Sequence, residues 1–395
     1  MQTVRERIRR CAITVAGVLS RMVYRVACIQ RRRAEVLFAS RCSARPSEDF
    51  LILGHEFELQ GFTPVYVTMH ASKLKAFLYI GHVIREIHHL ARCQICVLDR
   101  YDPIIALLNF PCEPDGDMCD QGTIRFTSFP VQPMILQIWH ASGAYKRFGY
   151  QDLSSREGHT REFLHDYQIH RNYSWIICSG VGCQSVYAEA FGYPVDRVLP
   201  TGRPIEERLR NSSSKNNRRD RLSAGASRVV IAPTIRHSEE SPHPLRNAYE
   251  TFRSRPHDAL WDGIDVCWAF HPLEAHCDVE QAGSGMLRNV DAVVTDYSSI
   301  VYDAYLLHVP VIFYVSDIVS YREAPGLNRD PLTVAPRLCC KTPVELKQLL
   351  TAVLADPSTY PWDQLERFVG DVFDGSSTHP AQTIASRAIA YIRED

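Results

Sequence analysis

Residues 292–314 read AVVTDYSSIVYDAYLLHVPVIFY and contain the clearest structural pattern in the sequence. An apolar run ends at Thr295, a short polar turn follows, and apolar residues then recur at helical spacing as far as Leu307. A second apolar run begins at Val309. The order strand, helix, strand predicts a parallel β-sheet covered by helices.

The same alternation extends through most of the chain. Besides 292–295 and 309–315, candidate strands lie at 36–39, 64–68, 95–98, 134–138, 175–178, 228–232 and 266–270, and helical patterns lie at 72–91, 298–307 and 342–354. A polar stretch without apolar periodicity, NSSSKNNRRDRLSAGAS at 211–227, separates the two halves.

These patterns predict an α/β protein with five parts. They are an N-terminal arm at 1–34, a Rossmann-like domain at 35–210, a linker at 211–227, a second Rossmann-like domain at 228–375 and a terminal helix at 376–395. Ligands of such domains bind where the carboxyl ends of the strands meet the loops.

Composition and charge narrow the class of protein. The chain has 395 residues, of which 45% are hydrophobic and 23% charged, so it is neither a disordered chain nor a polytopic membrane protein. The net charge of -1 hides an asymmetry, because the first 47 residues contain eleven Arg and two acidic residues, a local balance of +9. A basic arm of this kind is typical of contact with an anionic membrane surface or with nucleic acid. The remaining 33 basic and 43 acidic residues make the body acidic and predict that nucleic acid is not a partner.

The arm contains the apolar segment CAITVAGVLSRMVYRVACI at 11–29. Its uninterrupted apolar part is shorter than the ~20 residues that a spanning helix needs. On a helix, Arg21 and Arg25 lie one turn apart, which favours a helix lying in the membrane interface. The same segment is also compatible with an ordinary packed helix, or with a signal or spanning segment. We expect a peripheral protein on the inner, cytoplasmic face of the cell membrane.

The cysteines favour a reduced, intracellular protein. There are thirteen, scattered without a small-domain framework. Cys93 and Cys96 form a CxxC, but no second pair stands at zinc-site spacing, so we predict that both are core residues. Cys339 and Cys340 lie in what reads as a surface connector.

Five strand ends carry side chains suited to phosphate chemistry. They supply His140 with Lys146 and Arg147, Gly202 with Arg203, Thr234 with Arg236, His271, and Ser298 with Ser299. Imidazole exchanges protons near neutral pH, Arg binds phosphate oxygens in a bidentate fork, and hydroxyls beside free backbone N–H groups bind anions. Each residue alone is more often a helix cap, a surface residue or a core residue. Together they predict one anion-binding cleft.

The motifs WHASGAYKRFG, TGRP, APTIR, FHP and TDYSS, in this order over roughly 95–355, resemble the CDP-glycerol glycerophosphotransferase family of teichoic acid and capsule polymer enzymes. The resemblance implies a GT-B-like fold, with an acceptor domain and a CDP-donor domain facing a cleft. It implies transfer of an alditol phosphate from CDP-glycerol or CDP-ribitol to a hydroxyl of a lipid-linked glycan or polymer. Glycerol phosphate is the favoured group. CMP is released.

By the same resemblance, His140 matches the general base and His271 the histidine that contacts the donor pyrophosphate. Ser298 and Ser299 match a phosphate-binding helix start, and Asp303 matches an acidic residue that holds a donor hydroxyl. The donor side is completed by Thr234, Arg236, Gly202, Arg203 and Thr295, and Lys146 and Arg147 are expected to contact acceptor or phosphate.

Two features depart from the family pattern. Ile235 stands where Trp is common, and the loop REAPGLNRD at 322–330 replaces an ERG-like segment, with Arg322 and Arg329 as substitutes. Two alternative functions stay open. One is a GT-B glycosyltransferase that uses CMP-sialic acid or a UDP-sugar, and the other is a catalytically silent membrane adaptor.

Metal binding and assembly leave little trace in the sequence. The only DxD string is DGD at 115–117, in a turn-like loop. We therefore expect no tightly bound metal or other cofactor, and a loosely bound divalent cation is compatible with the sequence. The oligomeric state is not determined.

Overall fold

The computed structural model describes residues 2–70, 76–108, 110, 132–153, 155–212, 227–236, 238, 241–254, 261–270, 284–287 and 289–394. Two parallel sheets organise them. The order in the first sheet is β2-β1-β3-β4-β5-β6, and the order in the second is β11-β10-β9-β7-β8. The GT-B-like fold with two Rossmann-like domains is confirmed.

The first domain contains six strands and the helices that cover them. The strands are β1 (Glu35–Ser40), β2 (Thr63–Thr68), β3 (Ile95–Leu98), β4 (Met134–Gln137), β5 (Trp175–Ile177) and β6 (Val198–Leu199). The helices are α1 (Gln2–Ala27), α2 (Glu48–Leu59), α3 (Ala76–Arg92), α4 (Pro103–Leu107), α5 (Arg161–Asp166), α6 (Val181–Phe191) and α7 (Glu206–Asn211). Strands β1, β3 and β4 are buried along their whole length, as expected for parallel strands covered on both faces.

The second domain repeats this plan with five strands. They are β7 (Ser227–Ala232), β8 (Ile264–Trp268), β9 (Ala292–Thr295), β10 (Val311–Tyr314) and β11 (Cys339–Cys340). The helices are α8 (Pro244–Ser254), α9 (Ile300–Leu306), α10 (Ile318–Glu323), α11 (Pro331–Val334), α12 (Pro343–Ala355), α13 (Trp362–Val369) and α14 (Pro380–Glu394). Short 3₁₀ turns lie at Gly149–Asp152, Val195–Arg197, Ser284–Leu287, Pro336–Leu338 and Pro357–Thr359.

The terminal helix α14 returns to the first domain. Its residues Ile384, Ala385 and Ile389 are buried together with Phe50 and Leu53 of α2, on one face of the first sheet. The segment that the sequence presents as a separate part therefore completes the core of the N-terminal domain.

Helix α1 packs along α3 and α4. Tyr24 is fully buried, and Arg21 donates from Nη1 to the carbonyl oxygen of Leu107 at 2.9 Å. Arg9 and Arg10 both pair with Asp166, at 3.1 and 2.9 Å. The alternative of a packed helix is thus correct for one side of α1, while the other side leaves apolar residues exposed. No helix in the described ranges is long and apolar enough to cross a membrane.

The sequence located most strands closely. Strands 95–98 and 292–295 are confirmed to the residue, and the other predicted strands differ by one or two residues at one or both ends. Helix α9 begins at Ile300, two residues later than predicted. The prediction of a surface connector at Cys339 and Cys340 is wrong, since the pair forms β11 and Cys340 is buried. Cys93 and Cys96 are fully buried, which confirms them as core residues.

Replacing Ile384 tests whether α14 belongs to the core of the first domain. Ile384 is 1% exposed, so Ile384→Ala leaves a cavity beside α2. We expect the free energy of unfolding to fall by about 3 kcal/mol. Urea unfolding followed by circular dichroism measures this change. Arg387→Ala, at an exposed position of the same helix, is the control, and an equal effect of the two substitutions would contradict the assigned packing.

Candidate active site in the interdomain cleft

The carboxyl ends of β3 and β4 lie side by side. The segment 139–147 follows β4 and runs toward the second domain. The fully buried Gln137 closes the turn. Its Nε2 donates to the carbonyl oxygen of Arg100 at 3.1 Å, and its Oε1 accepts from the N–H of Trp139 at 2.9 Å. Trp139 adopts a φ of 56°, which is uncommon for a bulky residue and is found where neighbouring groups impose it.

His140 follows directly, and its ring is oriented by the backbone. Nδ1 lies 3.3 Å from the carbonyl oxygen of Asp99. Because a carbonyl oxygen can only accept, this contact assigns the hydrogen to Nδ1. In this tautomer, Nε2 is the ring atom that can accept a proton.

Ser142 connects the two domains through charged partners. Its hydroxyl donates to Oδ1 of Asp303 at 3.0 Å and accepts from Nη1 of Arg203 at 3.2 Å. Arg203 also pairs with Asp49 and lies 3.9 Å from Asp303. Asp49 and Arg203 belong to the first domain and Asp303 to α9, so this buried network spans the cleft. Burial raises the pKa of the Asp303 carboxyl.

Gly143 lies at a close approach of the two domains. It has a φ of +61°, and a Cβ atom there would lie 2.5 Å from Cε2 of Tyr302. Its N–H donates to the hydroxyl of Ser179 at 3.2 Å, and that hydroxyl donates to Glu206 at 2.6 Å. Burial raises the pKa of Glu206 to about 7. Only glycine combines this backbone conformation with this contact.

The rest of the segment is held by the second domain. The hydroxyl of Tyr145 donates to the carbonyl oxygen of Asp296 at 2.9 Å. The N–H of Asn328 donates to the carbonyl oxygen of Tyr145 at 2.9 Å, and the N–H of Arg147 donates to that of Gly326 at 3.1 Å. Residues 139–147 are therefore fixed from both sides.

On the opposite wall, Asp296 organises the end of β9. Its Oδ1 accepts from the backbone N–H and the hydroxyl of Thr234, at 2.8 and 2.5 Å. Arg236 donates to Asp296 at 3.1 Å and to Asp317 at 3.0 Å, and its guanidinium lies 4.3 Å from the ring centroid of Tyr321. Burial acts to lower the pKa of Arg236, and the two carboxylates outweigh it and raise that pKa.

A cavity of about 220 Å³ lies between these walls. The first domain lines it with cations and an imidazole, and the second lines it mainly with hydroxyls. The lining includes Arg100, His140, Lys146, Thr234, Ser298, Ser299 and Asp303. Burial lowers the pKa of Lys146. This arrangement fits a phosphorylated ligand and places a proton acceptor beside it.

The cavity brings together part of the predicted site. Six predicted residues line it: His140, Lys146, Thr234, Ser298, Ser299 and Asp303. Four others are buried behind the walls or hold them in place: Gly202, Arg203, Arg236 and Thr295. Arg147 lines a neighbouring cavity, and His271 and the DGD loop lie outside the described residues. The ligand contacts expected of all these residues stay predictions.

The two arginines of the 322–330 loop make ion pairs elsewhere. Arg322 pairs with Asp330 at 2.6 Å, and Arg329 pairs with Asp371. Neither lines the cleft cavity.

Sequence reasoning missed Asp99 and Arg100. They follow β3 directly, and Arg100 lines the cleft cavity while Asp99 orients His140. The rule applied to the other strand ends selects them too, because DR follows the apolar run ICVL at 95–98.

Comparisons with known proteins agree with this arrangement. A family profile described as CDP-glycerol:poly(glycerophosphate) glycerophosphotransferase matches residues 22–385. A teichoic acid glycerol-phosphate primase of Bacillus subtilis is 22% identical over 272 residues, which is 66% of this chain and 65% of the relative. A teichoic acid poly(ribitol-phosphate) polymerase of Bacillus spizizenii is 22% identical over 330 residues, which is 78% of this chain and 49% of the relative. The chain thus spans about half to two thirds of the length of these relatives.

Among solved structures, the wall teichoic acid polymerase TagF is similar in fold. It superimposes with a TM-score of 0.65 at 15% sequence identity, covering 98% of each chain. At this identity the similarity concerns the fold alone.

Replacing Gly143 tests the contact between the domains. Gly143→Ala combines an unfavourable backbone conformation, at about 1–2 kcal/mol, with a clash against Tyr302, so we expect a loss of stability above that range. Gly61→Ala is the matched control, since Gly61 has a φ of +86° and nothing within 4 Å of a Cβ atom. Scanning calorimetry compares the two melting temperatures. If both substitutions lower Tm equally, the Gly143–Tyr302 contact contributes nothing.

Proposed function

The chain belongs to the CDP-glycerol:poly(glycerophosphate) glycerophosphotransferase family, and on this premise we propose that it transfers glycerol phosphate from CDP-glycerol to a hydroxyl of a membrane-linked acceptor. CMP leaves and a phosphodiester remains. The observation that carries the proposal is the cleft cavity, in which His140 of the first domain lies in one lining with Ser298 and Ser299 of the second.

The attacking group is an acceptor hydroxyl, and His140 is its base. Nε2 of His140 takes the hydroxyl proton as the acceptor oxygen bonds to the β-phosphorus of the donor. The bond from that phosphorus to the bridging oxygen breaks, and its electron pair leaves with CMP. Such a transfer depends on alignment and charge neutralisation, and it needs no covalent intermediate.

The charge on the phosphates is met by groups on both walls. Lys146 and Arg100 supply positive charge from the first domain, and Thr234, Ser298 and Ser299 supply hydroxyls from the second. Arg236 acts through Asp296, because its guanidinium is already shared by two carboxylates. His271, by family resemblance, contacts the donor pyrophosphate.

Nucleotide release from alternative donors tests the proposed reaction. With a membrane acceptor, CDP-glycerol yields CMP, and His140→Ala lowers kcat by about 10²- to 10⁴-fold because the base is lost. CDP-ribitol, CMP-sialic acid and UDP-sugars are the comparison donors. The proposal includes no tightly bound metal, so we expect elemental analysis of the purified protein to find no stoichiometric metal.

His55→Ala is the control variant, since the His55 side chain is 68% exposed and lies outside the cleft. It retains the wild-type rate. His271→Ala measures the role implied for the second histidine. Nucleotide release from the sugar donors alone would falsify the proposed reaction and favour a glycosyltransferase.

We further propose that the protein rests on an anionic membrane through an apolar patch on α1 and α3. The patch consists of Val18, Leu19, Met22, Val23, Val26, Ile80 and Ile84, and each of these side chains is at least 39% exposed. Met22, Val23, Val26 and Ile84 line one shallow groove, so the two helices form a continuous surface. Exposed arginines of the same helices and of the following segment, Arg25, Arg31, Arg33 and Arg85, supply positive charge.

Introducing a negative charge into the patch tests membrane binding. Met22→Glu and Ile84→Glu each lower the partition onto phosphatidylglycerol vesicles by at least ~10-fold, because each loses apolar burial and adds repulsion. Vesicle sedimentation at low and high salt measures it. Val344→Glu on α12, where Val344 is 66% exposed, is the control. Equal binding by all three variants and the wild type would exclude the patch as the contact surface.

A further inference from the structure

A second cavity, of about 180 Å³, shares Arg100, Trp139 and His140 with the cleft cavity. Its remaining lining comes from the first domain alone, at the carboxyl ends of β1 and β3, the start of α2, and Arg203 after β6. His140 is therefore accessible from two cavities, of which one touches the second domain and one does not.

Most polar side chains in this second cavity already have partners in the chain. The hydroxyl of Ser43 accepts from the N–H of Arg45 at 3.0 Å, and that of Ser47 accepts from the N–H of Phe50 at 3.2 Å. Asp49, as described above, pairs with Arg203. These bonds fix the orientation of the groups that shape the cavity.

Asp99 differs from them. The residue is 8% exposed, it lines the second cavity and not the first, and its Oδ1 has no hydrogen-bond partner among the described residues. A buried carboxylate oxygen without a donor is costly, so it indicates a group that completes itself with a ligand. Burial raises the pKa of Asp99 to about 6.

Asp99 is also joined to the proposed base. Its carbonyl oxygen orients the ring of His140, while its carboxylate faces the second cavity. A single residue thus fixes the imidazole and presents a hydrogen-bond acceptor close to it. A molecule with two neighbouring hydroxyls can place one on Nε2 of His140 and the other on Asp99.

We propose that Asp99 is an acceptor-binding residue, whose carboxylate holds a hydroxyl of a polyhydroxylated acceptor next to the hydroxyl that His140 deprotonates. This inference rests on the proposed function and adds the acceptor subsite to it. The acceptor class is a compound with vicinal hydroxyls. Two sources share that chemistry, the alditol end of a glycerol phosphate polymer and the sugar of a glycan.

The test separates acceptor binding from donor chemistry. CMP release by Asp99→Asn is measured with a glycerol phosphate-terminated acceptor, with a glycoside acceptor, and with water alone. We expect the KM for the acceptor that supplies the hydroxyl pair to rise about 10-fold or more, the effect of losing a hydrogen bond to a charged group. The KM for CDP-glycerol and the release of CMP to water stay within about twofold.

Asp152→Asn is a matched control. Asp152 is also 8% exposed, its Oδ1 also has no partner among the residues described, and burial raises its pKa to about 6 as well, but it lines a different cavity. Its substitution leaves the acceptor KM unchanged. An equal rise in both variants would show a general effect of removing a buried carboxylate and would overturn the proposal.

A deoxy acceptor and the melting temperature complete the test. An acceptor that lacks the neighbouring hydroxyl binds wild type and Asp99→Asn equally, because the partner of the carboxylate is gone. The Tm of Asp99→Asn at pH 8 equals or exceeds that of the wild type, since a buried charge has been removed. A lower Tm, or a loss that persists with the deoxy acceptor, would identify Asp99 as structural. Absence of CMP release by the wild type contradicts the proposed function itself, whereas CMP release with an unaltered acceptor KM in Asp99→Asn contradicts only this inference.

Discussion

The candidate site depends on a close approach between the two domains, that of Gly143 to the ring of Tyr302. Because a Cβ atom at Gly143 would lie 2.5 Å from that ring, the two domains come together here without a side chain between them. The contact sets where the segment 139–147 lies, and the segment in turn sets His140 at one edge of the cleft and Lys146 at another. Ser142 then links Arg203 and Asp303 across the same gap. The site is therefore a property of the domain interface and belongs to neither sheet alone.

Two buried arginines that the sequence offers as phosphate ligands make ion pairs within the protein instead. Arg236 is shared by Asp296 and Asp317, and Arg203 is shared by Asp49 and Asp303. A buried guanidinium between two carboxylates has most of its charge neutralised, and removing one partner leaves a charge in a poorly solvated place. We therefore expect Lys146 and Arg100, which line the cavity, to supply the positive charge for a phosphate ligand. The buried arginines hold the cavity walls in place.

The sequence predicted the architecture well because periodicity and burial are local signals. Strand β9 and helix α9 follow directly from apolar spacing in 292–314, and the strand ends follow from parallel topology. Pairing across the cleft is not encoded locally, so Arg236 and Ser298 look equally suited to phosphate in the sequence, although only Ser298 lines the cavity. The packing of α14 on α2 was missed for the same reason, since an amphipathic helix does not specify its partner. Asp99 directly follows the apolar run of β3, so the strand-end rule could have selected it, but the sequence does not show that the residue lines a cavity.

The first domain links its outer surface to the second cavity through short, rigid contacts. Arg21 of α1 bonds to the end of α4 at 2.9 Å, and the first turn of α4 is capped by Asp102. Asp102 pairs with Arg41 at 2.7 Å, and Arg41 directly follows β1, whose last residue, Ser40, lines the second cavity. The helices of the proposed membrane patch and the strand ends at the second cavity are thus joined within one packed unit. Under the proposed function, a membrane-linked acceptor reaches His140 from the bilayer, and a fixed distance between the patch and the cavity would favour acceptors whose reactive hydroxyl lies at a matching height above the membrane.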